Sequence, residues 1–331
     1  IQSIISVITV AIGVLNAINY AQNRLYRTIL GPILAVLVQF VFVYFTYQGY
    51  GIYSVVWALG LSQIFIFIFL SCGALYRYRP TIVVNRRLRY VSSRMIPLVL
   101  SSTFSKSDIF VNRHFASLLD VGSITILHYG LLSITSLSTI VDKGVGIISL
   151  RKFSLITNSD KEKFTEYFKK IYSIMIYLVM TISAFVIIFV GYFLEFLFLG
   201  DKFNGEQIDK LSIVVISFLG VFIGGVLSSV LVNAFYSKGL TAIVSKMSVA
   251  IQSFSIIAKI LLFNAYGFYV LPIVTSAHYL LASFCLVILY DKYIFRLDYL
   301  YFLRALLGSC VVFLILIFTL HTFTERFFPF I

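Results

Sequence analysis

A few ionisable side chains stand where nearly everything around them is apolar. Lys106, Asp108, Arg113 and His114 share the run 95–118, Asp142 and Lys143 fall in the run 124–148, and Lys259 lies in the run 243–263. In a bilayer such a group costs about 2.5–3.5 kcal/mol unless it is paired or wetted, so each needs a reason to be there. Lys106 and Arg113 are seven residues apart and share one helix face; Asp108 and Asn112 are four apart and share another. Counting along a helix, Lys106 lies about 18 Å from Arg94 and Asp142 about 13 Å from Arg151. If the two runs form antiparallel neighbours, Lys106 meets Asp142 and Asp108 meets Lys143. One chemistry is then structural, ion pairs that hold two helices in register. The other is recognition: a wet cavity whose cations hold an anionic group, Arg with a planar fork of donors and Lys as a point charge. A third use, a coupling ion or proton on Asp108 or Asp142, stays open. Arg113 and His114 sit near the end of their run, where snorkelling or loop anchoring competes with any cavity role. Lys259 is four residues from the end of its run and is expected to snorkel.

The elements that must carry these groups are apolar helices. Of 331 residues, 60% are hydrophobic and only 12% charged, with mean hydropathy +1.00. A soluble domain is nearer a quarter charged, so a water-soluble globular protein is excluded. Runs of about 20 mostly apolar residues, enough to cross a bilayer, recur ten times: 1–19, 28–47, 52–75, 95–118, 124–148, 171–197, 211–235, 243–263, 268–290 and 301–320. The reading is an all-α polytopic membrane protein with about ten transmembrane helices. The first residue is not Met and lies against the first run, so the sequence reads as a piece of a longer protein.

The chain carries 26 Lys+Arg against 13 Asp+Glu, net +13. That surplus would ordinarily raise nucleic acid as a partner, but its distribution argues otherwise. Arg24 and Arg27; Arg77, Arg79, Arg86, Arg87, Arg89 and Arg94; Arg151, Lys152, Lys161, Lys163, Lys169 and Lys170; Lys238 and Lys246; and Lys292, Arg296 and Arg304 follow the odd-numbered runs. These nineteen put every second connection on one side, the positive-inside pattern of cytoplasmic loops. The opposite connections (48–51, 119–122, 200–210 and 264–267) are too short for a soluble catalytic domain. No GxxxxGK[ST] phosphate loop occurs, so ATP-driven pumping by this chain is not expected. Cys72, Cys285 and Cys310 fall in apolar runs and make no disulfide framework. His128 and His278 stand singly and read as helix residues, so neither a metal nor a cofactor is expected. Pro32, Pro97 and Pro272 read as helix starts. Gly220, Gly224 and Gly225 would allow a close helix approach.

An internal repeat is visible. Asn16-Ala17 recurs as Asn233-Ala234, and Tyr50-Gly51-Ile52-Tyr53 recurs as Tyr266-Gly267-Phe268-Tyr269. Both shifts equal six runs, an even number, so the copies keep one orientation, a pattern of transporters. The expected division is 1–75, the last three helices of a first lobe; 76–94, a basic inter-lobe loop; 95–291, a complete six-helix lobe; and 292–331, an additional helix and tail.

The stretch from Pro97 through Asn112-Arg113-His114-Phe115-Ala116-Ser117-Leu118-Leu119, Gly122-Ser123-Ile124, Leu127 and Tyr129-Gly130 resembles the start of the C-terminal half of the MviN-like lipid II flippases. Those belong to the multidrug/oligosaccharidyl-lipid/polysaccharide exporter superfamily, alongside the O-antigen and other polysaccharide-unit flippases. Phe235-Tyr236-Ser237-Lys238 and Asp160-Lys161-Glu162-Lys163-Phe164 resemble two further family segments. The resemblance implies a 12–14-helix transporter of two parallel six-helix lobes in the bacterial cytoplasmic (inner) membrane. It implies a flippase and not an enzyme, moving a polyprenyl-pyrophosphate-linked oligosaccharide by alternating access. Its partners would be that lipid-linked oligosaccharide and membrane lipids, with no nucleic acid and a coupling ion left unnamed. Lys106, Asp108, Arg113, Asp142 and Lys143 are the cavity candidates. Where lipid II flippases carry an Asp-Arg pair after this stretch, Leu131 and Leu132 stand here, a departure that points toward a different undecaprenyl-linked sugar unit. A cation-coupled multidrug exporter of the same superfamily is the first alternative, although the cations outnumber the carboxylates in these runs. A membrane-embedded polysaccharide polymerase or glycosyltransferase is the second, and the short outer loops argue against it.

Overall fold

The computed structural model describes residues 2–22, 24–74, 86–156, 161–198, 204–296 and 298–327. Arg77, Arg79, Asp160, Lys202 and most of the expected inter-lobe loop lie outside the described residues, as do the side chains of Arg86, Arg87, Arg89, Arg94 and Lys143. Among the described residues every regular element is helical.

The chain divides into two compact units, 1–85 and 86–331. The first holds α1 (Gln2–Ala21), α2 (Leu25–Tyr50) and α3 (Tyr53–Ala74). Helix α3 packs on both others, around Ile12, Leu15 and Leu70. Asn19 is fully buried, and its amide donates to the carbonyls of Leu15 at 2.8 Å and Leu70 at 3.5 Å. A polar side chain inside an apolar bundle must be satisfied by protein in this way.

The second unit holds α4 (Arg86–Ser105), α5 (Ser107–Ser117), α6 (Ser123–Ile156), α7 (Lys161–Phe198), α8 (Gly205–Ser217), α9 (Leu219–Ser237), α10 (Thr241–Tyr266), α11 (Val270–Tyr293) and α12 (Tyr299–Phe327). Its core is aromatic. Phe153, Phe164, Phe168 and Tyr290 are buried together, and Phe168 stacks on Tyr290 with ring centres 4.1 Å apart. Outward faces carry large apolar side chains such as Phe110, Phe196 and Phe254, each largely exposed. Water would penalise such surfaces, and lipid does not.

Among the described residues seven segments are long and apolar enough to cross a membrane, and they take in eight of the ten expected runs, because Thr241–Tyr293 is two helices turned at Gly267. The first run contributes only the shorter apolar stretch Ile8–Asn19. The fourth, now α4–α5, is not among them, because it is broken at Lys106 and holds many polar and charged groups. Helix α7 is 38 residues long, about 57 Å, so it outreaches a hydrocarbon core of about 30 Å. The expected loop 151–170 is therefore largely helical, formed by the ends of α6 and α7. Pro32 and Pro97 lie inside α2 and α4 rather than at helix starts.

The repeat extends to the backbone. Helices α2 and α10 each have 26 residues and start and end in register. Each closes on a glycine with positive φ, +51° at Gly51 and +66° at Gly267, whose N–H returns to the carbonyl four residues back. A β-carbon there would strain the turn, which is why glycine occupies both positions.

Candidate functional site

The polar helix is broken where its charge sits. Between Ser101 and Ser107 four serines turn back on their own helix: Ser101 donates to Leu98 O (3.1 Å), Ser102 to Val99 O (2.9 Å), Ser105 to Ser101 O (2.9 Å) and Ser107 to Phe104 O (2.6 Å). Such back-bonding competes with the helical ladder and bends it. The Lys106 N–H is shared between Ser102 O (3.3 Å) and Thr103 O (3.1 Å), a tightened turn of the 3-10 kind. Helix α4 stops there and α5 starts one residue later. The break lies at Lys106 and not at Pro97.

A cavity of about 570 Å³ opens beside this break, walled by α4, α9, α10 and α11. Its polar groups include Ser101, Ser105, Lys106, Asp108, Ser228, Ser248, Gln252 and His278. Lys106 is exposed and has no ion pair among the described residues. Ser228 Oγ and His278 Nδ1 are buried without a hydrogen-bond partner. Two other cavities on the same unit are lined almost wholly by apolar side chains.

Lower on the same wall lies a closed charge cluster. Lys259 Nζ donates to Asp108 Oδ1 at 2.6 Å and to Asn112 Oδ1 at 2.8 Å. Asn112 Nδ2 donates to Asp108 Oδ2 at 3.0 Å, and Gln252 Nε2 to Asp108 Oδ1 at 3.1 Å. Lys259 is 0% exposed. The expectation that it snorkels is therefore overturned. Helix α10 continues to Tyr266, so Lys259 lies a further turn inside than the apolar run suggested. Its burial is tolerable because a carboxylate and an amide oxygen receive the ammonium.

Of the two expected pairs across the hairpin, Lys106 with Asp142 does not form, and the other rests on Lys143, whose side chain lies outside the described residues. Asp108 meets Lys259 on α10, because α4 and α5 pack on α10. Asp142, on α6, accepts from Ser229 Oγ on α9 at 2.8 Å and does not meet Lys106. One turn further along the same interface, Asn233 Nδ2 donates to Gly146 O at 2.9 Å and to Ser149 Oγ at 3.1 Å. Arg113 and His114 are exposed near the end of α5. Of the five cavity candidates, Lys106 and Asp108 line the cavity, Arg113 and Asp142 do not, and Lys143 has no described side chain. The sequence reading passed over Gln252 and the true place of Lys259. The polar positions Gln252, Ser255 and Lys259, at helical spacing on one face of α10, were the available signal.

The glycine expectation holds for two positions. A β-carbon at Gly220 would lie 2.6 Å from Ser276 Cβ, and one at Gly224 would strike the backbone of Tyr279 and Leu280. Helices α9 and α11 therefore meet backbone to backbone. Among the described residues no group of three His, Cys, Asp or Glu side chains is placed to hold a metal.

The described residues thus form an all-helical bundle of membrane-length apolar helices with a broken polar helix, a hydroxyl-lined cavity and a buried charge cluster, the build of a polytopic membrane protein. The family model described as lipid II flippase MurJ matches residues 2–331, and the chain belongs to that family. A solved structure titled "Lipid II flippase MurJ, inward closed conformation" shares the fold with a TM-score of 0.71 at 16% identity, over 93% of this chain and 64% of that one. No curated protein matches. Of the groups named by the resemblance, the match is thus to the MviN-like lipid II flippases, although Leu131 packs against the core and Leu132 is exposed where an Asp-Arg pair was looked for.

Proposed function

We propose that the protein is a flippase of the bacterial cytoplasmic membrane. It carries a polyprenyl-pyrophosphate-linked oligosaccharide, with lipid II as the first candidate, by alternating access. The family match over residues 2–331 carries this reading. The geometry supports it in three ways. Lys106 stands at a helix break, facing a hydroxyl-lined cavity, free to act as a point charge toward phosphate. The serines around it offer donors and acceptors suited to sugar hydroxyls. The break itself is a point where the helix can bend, with α5 tied to α10 through Asp108 and α4 packed along α10 on the other side of it. Residues 95–291 are then the six-helix lobe, 1–75 the last helices of its partner lobe, 76–94 the link, of which 86–94 already belong to α4, and 292–331 an additional helix. Arg113, Asp142 and Lys143 remain secondary candidates for contacts with the headgroup. A cation exporter is disfavoured, because the Asp108 carboxylate is already held by Lys259.

Complementation tests the reading. The full-length gene is expressed in a strain depleted of its lipid II flippase, with membrane levels matched. Wild type sustains growth and Lys106→Glu does not. Equal growth with both would remove Lys106 from the cavity role. Failure of the wild type, with rescue instead of a strain lacking a surface-polysaccharide flippase, would reassign the glycan.

A further inference from the structure

The Asp108 cluster has more than a salt bridge needs. A structural pair requires one carboxylate and one cation. Here Asn112 turns its carbonyl oxygen to the Lys259 ammonium and its amide nitrogen to the free oxygen of Asp108. Gln252 donates to the carboxylate oxygen that the ammonium holds. Ser255 lies between Gln252 and Lys259 on the same face of α10, is 2% exposed, and its hydroxyl has no partner. Two oxygens thus converge on one positive centre at 2.6 and 2.8 Å, one of them formally charged. Carboxylate and amide oxygens around a dry point are the donor set of a hard cation, and an ammonium has the charge of an alkali ion and nearly the size of potassium.

We infer that Lys259 is a tethered cation: its ammonium occupies a monovalent-cation site built by Asp108 and Asn112, so this unit neutralises its intramembrane carboxylate without an external ion. Gln252 holds the carboxylate in place for it. Removing the ammonium leaves the oxygens in position and opens the site to sodium or potassium. The inference does not depend on the flippase reading, since occupancy is measured without transport.

The test uses the full-length chain purified in lipid nanodiscs, with sodium, potassium or choline chloride at constant ionic strength. Wild type melts at one temperature in all three salts. Lys259→Ala is stabilised by sodium or potassium along a saturable curve, with a rise of about 4 °C at saturation, and the response disappears in Lys259→Ala/Asp108→Asn. Two results overturn the inference. One is saturable alkali-ion stabilisation of wild type that Asp108→Asn abolishes. The other is a folded Lys259→Ala that no alkali ion affects. If Lys259→Ala cannot be purified, Lys259→Met keeps most of the stem without the charge. Loss of both variants in every salt also overturns the claim that an alkali ion can take the place of the ammonium.

Discussion

Gly224 and its neighbour Gly225 make opposite predictions from one residue of separation. A β-carbon on Gly224 meets the main chain of Tyr279 and lies 2.7 Å from Leu280 N, whereas one on Gly225 reaches only ring carbons of Tyr279, the nearest at 3.7 Å. Main-chain atoms of a packed helix cannot rotate away, so Gly224→Ala must push α9 and α11 apart. Overpacking of this kind costs about 1–3 kcal/mol, and a backbone contact belongs at the upper end. Alanine recovers about 0.5–1 kcal/mol of helix preference at either position. The net expectation is a loss of about 2 kcal/mol for Gly224→Ala and a gain of about 0.5–1 kcal/mol for Gly225→Ala. At about 2 °C per kcal/mol for a chain of this size the two melting temperatures separate by about 6 °C. Thermal melting in nanodiscs, followed by size-exclusion fluorescence, reads this directly. A Gly224→Ala protein that melts with or above Gly225→Ala would refute the close approach of α9 and α11.

Two other perturbations give sharp signs. Removing one member of the Asp108–Lys259 pair leaves a bare buried charge and costs about 3–5 kcal/mol, whereas Asp108→Leu/Lys259→Met costs much less than the two single losses together; additive losses in a double-mutant cycle would deny the coupling. Asp298 caps α12 and pairs with Lys169 at 3.3 Å. The Tyr301 N–H, and next the Lys169 ammonium, hold its carboxyl below the usual carboxylate range. A depressed folded value means that the contribution is present above the ordinary range and lost as pH falls through the lowered one, so the melting advantage of wild type over Asp298→Asn seen at neutral pH vanishes on acidification; an advantage that grows toward acid contradicts this.

The arrangement of helices was largely legible because lipid imposes a simple code. Apolar length and the alternation of basic connections located the helices, and Tyr50-Gly51 against Tyr266-Gly267 revealed two helices that end alike. Partner choice was less legible. Asp108 and Asn112, four residues apart, do interact as the spacing implied. Which helix supplies their cation depends on tertiary packing, and α10 rather than α6 lies against α5's charged face. Lys259 was misplaced because the apolar run ends before the helix does, and a lone lysine near a run's end resembles a snorkelling one. Asp142 was assigned an ionic partner, yet the neutral hydroxyl of Ser229 serves it, a pairing with no signature in charge spacing.

The cavity at the Lys106 break is the centre of the functional account, and reconstituted transport tests it most directly. Full-length protein in vesicles is supplied with a polyprenyl-pyrophosphate-linked glycan on one leaflet, and its appearance on the other is timed. A charge-assisted hydrogen bond to phosphate is worth about 1.5–3 kcal/mol, so Lys106→Ala should slow transfer at limiting substrate by about ten- to a hundredfold while melting as wild type does. Transfer at the wild-type rate by a folded Lys106→Ala protein would contradict the account.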